Sequence, residues 1–171
     1  DYGHGIITPK IAKHISNSDK FVSLNAQVNA ANIGTHNIRK YHDVNCLIIN
    51  ESELRHELRQ RDGDAQEMAA ILKNMVNSKY IAVTQGKDGA FLINGIKVNE
   101  RSPGFATRVI DKIGSGDALL AILSVCLYNN LDEKLSLFIA SLAAAQSVET
   151  VGNSVPVSKI KLLKTISHLL K

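Results

Sequence analysis

The sequence predicts an α/β fold: a mostly parallel sheet flanked by helices, with a small β-hairpin added and the N-terminal part of the fold missing. Three observations predict it. Apolar runs of strand length, over 21–24, 46–49 and Tyr80–Thr84, alternate with longer stretches of helical period, the order of parallel strands and their crossover helices. Asn94-Gly95 separates two further apolar runs and has the residue types of a tight hairpin turn. The chain also opens on Asp1-Tyr2-Gly3-His4-Gly5, a small polar loop with no strand before it, as though entered midway through a fold. A fragment of a larger domain is expected.

Each element has a local reason. Thr8 caps the first helix and Pro9, which lacks an N–H, takes its first position; the helix should run to about Ser16. Strands follow over 21–24 and 46–49, the second ending at Asn50. Between them, 25–34 is dense in Asn, Gln and Ala, the composition of a loop whose side chains bind something. Its Asn25, Asn29 and Asn32 are equally well read as turn residues. Ser52 is expected to cap a helix reaching Leu58, and Ala65–Val76 forms a longer one. Tyr80–Thr84 is the third strand, and Ala90–Ile93 with 96–98 makes the hairpin across a two-residue turn. A short strand is expected over 107–110, then helices over 116–128, 131–147 and 158–170. The apolar runs 118–127 and 135–148 mark the first two as buried. The last puts Ile160, Leu163, Ile166 and Leu170 on one face with Leu162 and Leu169. In parallel sheets ligands gather beyond the carboxyl ends of the strands, so Asn50, Thr84 and the turn at Gly114 should share one rim.

Composition narrows the function. The net charge is only +4, and with four Tyr, four Phe and no Trp there are no basic clusters with interleaved aromatics, so nucleic acid is not an expected partner. The apolar runs are too short or too interrupted to span a bilayer, and no charged segment with an apolar core opens the chain. Cys46 and Cys126 lie far apart in apolar segments and match no metal or redox spacing; buried thiols in a cytoplasmic protein are expected.

The most informative stretch is Asp111-Lys112-Ile113-Gly114-Ser115-Gly116-Asp117, with an apolar helical run directly after it. Glycines let main-chain N–H groups come close to another molecule, and a helix mouth adds unpaired donors and a positive dipole end. Such a turn suits an anion such as phosphate. Asp117 would be repelled by that anion, a cost that makes sense if it takes a proton from a hydroxyl about to attack phosphorus. The plainer reading is an Asp N-cap after a glycine-rich loop. A P-loop would need G-x-x-x-x-G-K-[ST], which is absent, and no G-x-G-x-x-G joins a first strand to a helix.

On its motifs, the chain resembles the C-terminal part of a PfkB-type carbohydrate kinase, the ribokinase-like fold, over almost all of its 171 residues. The 111–117 stretch is similar to the family's D-T-x-G-A-G-D signature. Asn50-Glu51-Ser52-Glu53 matches N-x-x-E, and Thr84-Gln85-Gly86-Lys87-Asp88-Gly89 matches the T-x-G-x-x-G nucleotide loop. Asp1-Tyr2-Gly3-His4-Gly5 resembles the D-Y-G-K-G segment of the branch that holds the kinase half of the bifunctional heptose-phosphate kinase/nucleotidyltransferase, as does Phe105-Ala106-Thr107 before Val109-Ile110-Asp111.

The resemblance implies roles. Asp117 would be the catalytic base, and the N–H groups of Gly114, Ser115 and Gly116 an anion hole. Asn50 and Glu53 would organise Mg²⁺, Glu53 through water. Thr84, Gly86 and Gly89 would lie along ATP. Asp111, with carbonyls near Ser147, Thr150 and Gly152, would resemble a monovalent-cation (K⁺) loop. His4, Asn25 and Asn29 would face the sugar or sugar-phosphate substrate. The full-length protein would supply the missing N-terminal half and is a candidate homodimer; the 171-residue piece alone should not turn over efficiently. Lys112, Ile122 and His4 depart from the family pattern and put substrate identity and turnover in question. Taken in isolation, Glu53 reads more readily as a first-turn acid complementing a helix dipole. The competing reading is a non-catalytic kinase-like module that binds nucleotide or sugar phosphate or serves in assembly, against which the retained Asp117 argues.

Overall fold

The computed structural model describes residues 1–28, 32, 38–95 and 97–170. Asn29, expected to face substrate, lies outside the described residues, as does Ile96 of the expected hairpin. The chain divides into two compact units: Asp1–Gln85 with Phe91–Arg101, and Gly86–Ala90 with Ser102–Lys171.

In the first unit Thr8 caps α1 (Pro9–Ser16), its Oγ1 accepting from Ile11 N–H at 3.4 Å. The sheet runs in the order β1 (Ser23–Leu24), β2 (Cys46–Asn50), β3 (Tyr80–Thr84), β4 (Ala90–Ile93) and β5 (Val98–Ser102). β1–β2 and β2–β3 are parallel, and the register sets Asn50 beside Thr84 at the carboxyl ends of their strands. β4 and β5 follow connections too short for a parallel crossover, so they add antiparallel. β2, β3 and β4 are buried almost throughout, as apolar runs without alternation should be when both faces are covered. Leu47, Ile49, Ile81, Val83, Phe91 and Ile93 share this core with Leu54 of α2 (Glu51–Leu58) and with Met68, Ala69, Leu72 and Val76 of α3 (Ala65–Val76). Cys46 is also fully buried on β2, and burial pushes its thiol up to about 12.

In the second unit α4 (Ser115–Tyr128) packs on α5 (Glu133–Ser147), and Leu162 of α6 (Lys159–Leu169) meets Leu142 and Ala143 of α5. Phe105 and Phe138 stack edge to face at 5.4 Å beside that contact. Ile122 packs against the same cluster, so the branched residue in this position is accommodated rather than crowding the helix. Among the described residues no helix is long and apolar enough to cross a membrane.

Five expectations need correction. α2 is capped by Asn50, not Ser52, because the Asn50 carboxamide reaches Glu53 N–H while Glu53 reaches back. The second hairpin strand is Val98–Ser102, with Lys97 outside it, rather than 96–98; the Asn99 side-chain oxygen accepts from Asn94 and Gly95 N–H. No strand forms over 107–110, since Ile110 and Asp111 N–H both go to one acceptor, the Val148 carbonyl, instead of to a ladder. α4 is not buried all round: Leu119, Leu123 and Leu127 are covered, but Val125 and Tyr128 are 61% and 64% exposed and Cys126 is only half-buried. On α6, Leu162 and Ile166 reach the core while Ile160, Leu163, Leu169 and Leu170 stay exposed.

Neighbouring residues of α3 test the core assignment. Leu72 is fully buried and Ile71 is 48% exposed. Leu72→Ala should cost about 2–5 kcal/mol in urea unfolding, and Ile71→Ala within about 0.5 kcal/mol; equal losses would contradict the packing.

Candidate functional site

Asn50 and Glu53 form a capping box at the carboxyl end of β2. Asn50 Oδ1 accepts from Glu53 N–H at 2.8 Å, and Glu53 Oε2 accepts from Asn50 N–H at 3.1 Å. Glu53 Oε1 also accepts from Val28 N–H at 3.3 Å, so this 7%-exposed carboxylate ties the helix mouth to the 25–28 loop. Burial raises its pKa, partly offset by hydrogen bonds from Asn50 and Val28. A carboxylate has about four lone-pair directions; among the described residues the Asn50 and Val28 N–H groups use two of them, and a remaining one would suit a water-mediated Mg²⁺. Among the described residues no group of three or more His, Cys, Asp or Glu could hold a metal ion.

Sequence reasoning passed over Glu51. Its Oε2 accepts from Gln85 Nε2 at 2.8 Å and its Oε1 from Arg55 Nε at 3.0 Å; Gln85 and then Arg55 hold its carboxyl below the usual range. The signal was there in the i,i+4 Glu51–Arg55 spacing, but the reach to Gln85, next to Thr84, was not. The Gln85–Glu51 hydrogen bond thus joins the mouth of α2 to the strand end that carries Thr84.

The residues expected to face substrate are knitted into the first unit's own loops. Asn25 Nδ2 donates to the Ile48 carbonyl at 2.9 Å, and the Asn25 carbonyl accepts from the Asp1 amino group at 2.8 Å. Asn32 is buried, donating to the Tyr2 and Gln27 carbonyls, both at 2.7 Å. Asp1 Oδ2 meets Lys40 Nζ and the Tyr41 hydroxyl, both at 2.7 Å. Lys40 and Tyr41 belong to no motif, and no local pattern could have announced them. His4 is exposed and stacks on Tyr2 at 6.5 Å.

In the second unit, Gly114 begins α4 with φ +84°, a left-handed value that favours glycine. The other α-helices start on side-chain caps, Thr8, Asn50, Asp64, Asp132 and Ser158; α4 has none. Ser115 turns its hydroxyl away, donating to the Lys112 carbonyl at 3.0 Å. Gly116 and Asp117 are exposed, and a Cβ on Gly116 would meet nothing within 4 Å. Asp117 sits two residues past the start of the helix, so it is not the N-cap of the plainer reading. The mouth of α4 therefore carries no side-chain cap and one exposed acid, with Ser115 N–H donating only to the Lys112 carbonyl at 3.5 Å.

Asp111 pins this turn from behind. Its Oδ1 accepts from Ile113 N–H at 3.0 Å and its Oδ2 from Gly152 N–H at 2.9 Å. Those bonds hold its carboxyl below the ordinary range. Of the carbonyls expected around a cation, that of Ser147 accepts from Thr150 Oγ1 at 3.4 Å. A K⁺ ion here would share Asp111 with two N–H donors.

Glu53 gives a pH test. Its folded pKa is raised, so its contribution to stability is present at low pH and lost as pH rises through the folded value. Lowering the pH from 7 towards 5 should shift the stability difference between wild type and Glu53→Gln in favour of wild type, read from urea midpoints. A difference independent of pH would contradict the burial of this acid.

Comparison with known proteins places this geometry. The profile described as pfkB family carbohydrate kinase matches residues 10–160. The chain is 29% identical over 172 residues to the bifunctional protein HldE of Campylobacter jejuni (strain RM1221), covering 98% of this chain and 36% of that one. With the Campylobacter curvus protein of the same name it shares 31% over 157 residues, 90% of this chain and 32% of that one. It thus spans about a third of the length of the curated relatives it matches. Among solved structures it resembles a ribokinase from Thermotoga maritima with a TM-score of 0.73 at 18% identity, over 91% of this chain and 52% of that one. It also resembles the phosphofructokinase-2 of Escherichia coli in complex with potassium, with a TM-score of 0.66 at 15% identity over 76% and 42%.

Proposed function

The chain belongs to the pfkB family of carbohydrate kinases, and from that premise we propose that it is the nucleotide-binding part of a longer kinase that moves the terminal phosphoryl group of ATP to a hydroxyl of a sugar or sugar phosphate. The observation that carries the reading is the uncapped mouth of α4 with Asp117 exposed beside it. Asp117 takes the proton from the acceptor hydroxyl as its oxygen attacks the γ-phosphorus; the bond from that phosphorus to the β–γ bridging oxygen breaks, and ADP leaves. The N–H groups of Gly114, Ser115 and Gly116 receive the charge that develops on the transferred group. One such donor is worth about 3–4 kcal/mol of barrier.

Thr84 and Gly86 serve ATP, on the loop that Gly89 closes. Mg²⁺ held through water near Asn50 and Glu53 would supply positive charge to the phosphates. A monovalent cation beside Asp111 is motivated by the potassium complex of the Escherichia coli protein. Similarity to the bifunctional HldE proteins favours a phosphorylated sugar, of the heptose-phosphate class, with His4 and Asn25 on the acceptor side. The rest of the kinase domain completes the acceptor site in the full-length cytoplasmic protein, which is a candidate homodimer, so this chain alone should not turn over efficiently.

In the full-length protein, Asp117→Asn should leave nucleotide affinity within a few fold and lower kcat by about 10²–10⁴, measured as ADP released with a panel of sugar phosphates. Undiminished turnover would remove Asp117 from the chemistry.

A further inference from the structure

The two glycines of Thr84-Gln85-Gly86-Lys87-Asp88-Gly89 have different surroundings. Both have left-handed φ, +60° at Gly86 and +89° at Gly89. A Cβ on Gly86 would meet nothing within 4 Å. On Gly89 it would lie 2.0 Å from the Ser102 carbonyl oxygen, 2.6 Å from Pro103 C and 2.8 Å from Gly104 N. The contact is reciprocal, since a Cβ on Gly104 would lie 2.5 Å from the Lys87 carbonyl oxygen and 3.1 Å from Lys87 C. Every atom in these approaches is main chain, which cannot swing aside as a flexible side chain does. Two backbone segments thus lie directly on each other, and the turn Gly86–Asp88 belongs to the same compact unit as Ser102 and Gly104.

We propose that Gly104 is a positioning residue for the nucleotide loop: paired with Gly89, it clasps the Gly86–Asp88 turn so that Gly86 alone offers bare backbone to the bound nucleotide. The inference rests on the kinase reading above and assigns Gly89 to the protein's own packing. A turn with two left-handed glycines, left loose, would have to be ordered at each binding event, and that ordering weakens affinity. Held against 102–104 it is ordered beforehand. At Gly86 no protein atom excludes a side chain, and Asn or Asp also visits left-handed backbone; a bare position facing open space is what close approach of a ligand calls for.

The test uses the full-length protein, with AMP-PNP and magnesium as the probe, by calorimetry at a temperature where circular dichroism reports each variant folded. Gly104→Ala should weaken AMP-PNP binding tenfold or more. Gly95→Ala, whose added Cβ also meets open space, should leave it unchanged. A folded Gly104→Ala that binds like wild type overturns the proposal. If Gly104→Ala does not fold, Pro103→Gly decides, because it loosens the facing segment without adding an atom: binding at least threefold weaker supports the clasp, and unchanged binding overturns it. Wild type that fails to bind AMP-PNP sinks the kinase reading and the clasp together, whereas wild-type binding with unaffected variants sinks the clasp alone.

Discussion

Backbone N–H groups at the start of a helix need acceptors, and the mouth of α4 supplies none from its own side chains. Thr8, Asn50, Asp64, Asp132 and Ser158 do this work on the other α-helices. Glycine in place of a side-chain cap costs only about a few tenths of a kcal/mol, so α4 can begin on Gly114 without a side-chain partner for its first N–H groups and lose little stability. With Gly114 left-handed and the Ser115 hydroxyl turned to the Lys112 carbonyl, no side chain caps this mouth, and Ser115 N–H reaches that same carbonyl only at 3.5 Å. A helix mouth of this kind suits an anion, and the phosphoryl transfer proposed for this pfkB family member would bring one to it.

The approach to that mouth is held by main-chain interactions rather than by an apolar core. Asp111 gathers the N–H groups of Ile113 and Gly152, and the Val148 carbonyl gathers those of Ile110 and Asp111. In the same unit, Gly89 and Gly104 bring two backbone segments into direct contact. The first unit uses the opposite strategy: β2, β3 and β4 bury continuous apolar runs, and the carboxyl ends of β2 and β3 are tied by the Asn50–Glu53 capping box and the Gln85–Glu51 hydrogen bond. Rigid apolar strands fix where Asn50 and Thr84 stand.

Elements with strong local signals were legible in the sequence. Pro9–Ser16, Ala65–Val76 and Tyr80–Thr84 fall where caps, period and apolar runs predict them. What failed was decided by distant partners. The 107–110 segment has strand composition, yet its N–H groups find a single acceptor from the end of α5. Asn50 rather than Ser52 caps α2 because Glu53 completes a reciprocal box, which residue types alone left open. At the site, the glycine turn and Asp117 could be read from spacing and from family resemblance. Glu51–Gln85, Asp1–Lys40–Tyr41 and Gly104 could not, since each depends on residues brought together from separate parts of the chain.

The most direct test is a crystal structure of the full-length protein with AMP-PNP and magnesium. The account predicts the terminal phosphate within hydrogen-bond distance of main-chain N–H groups at 114–116, with the Asp117 carboxylate facing the space beside it. A nucleotide bound with its phosphates away from that helix mouth, or an Asp117 turned from them, would contradict it.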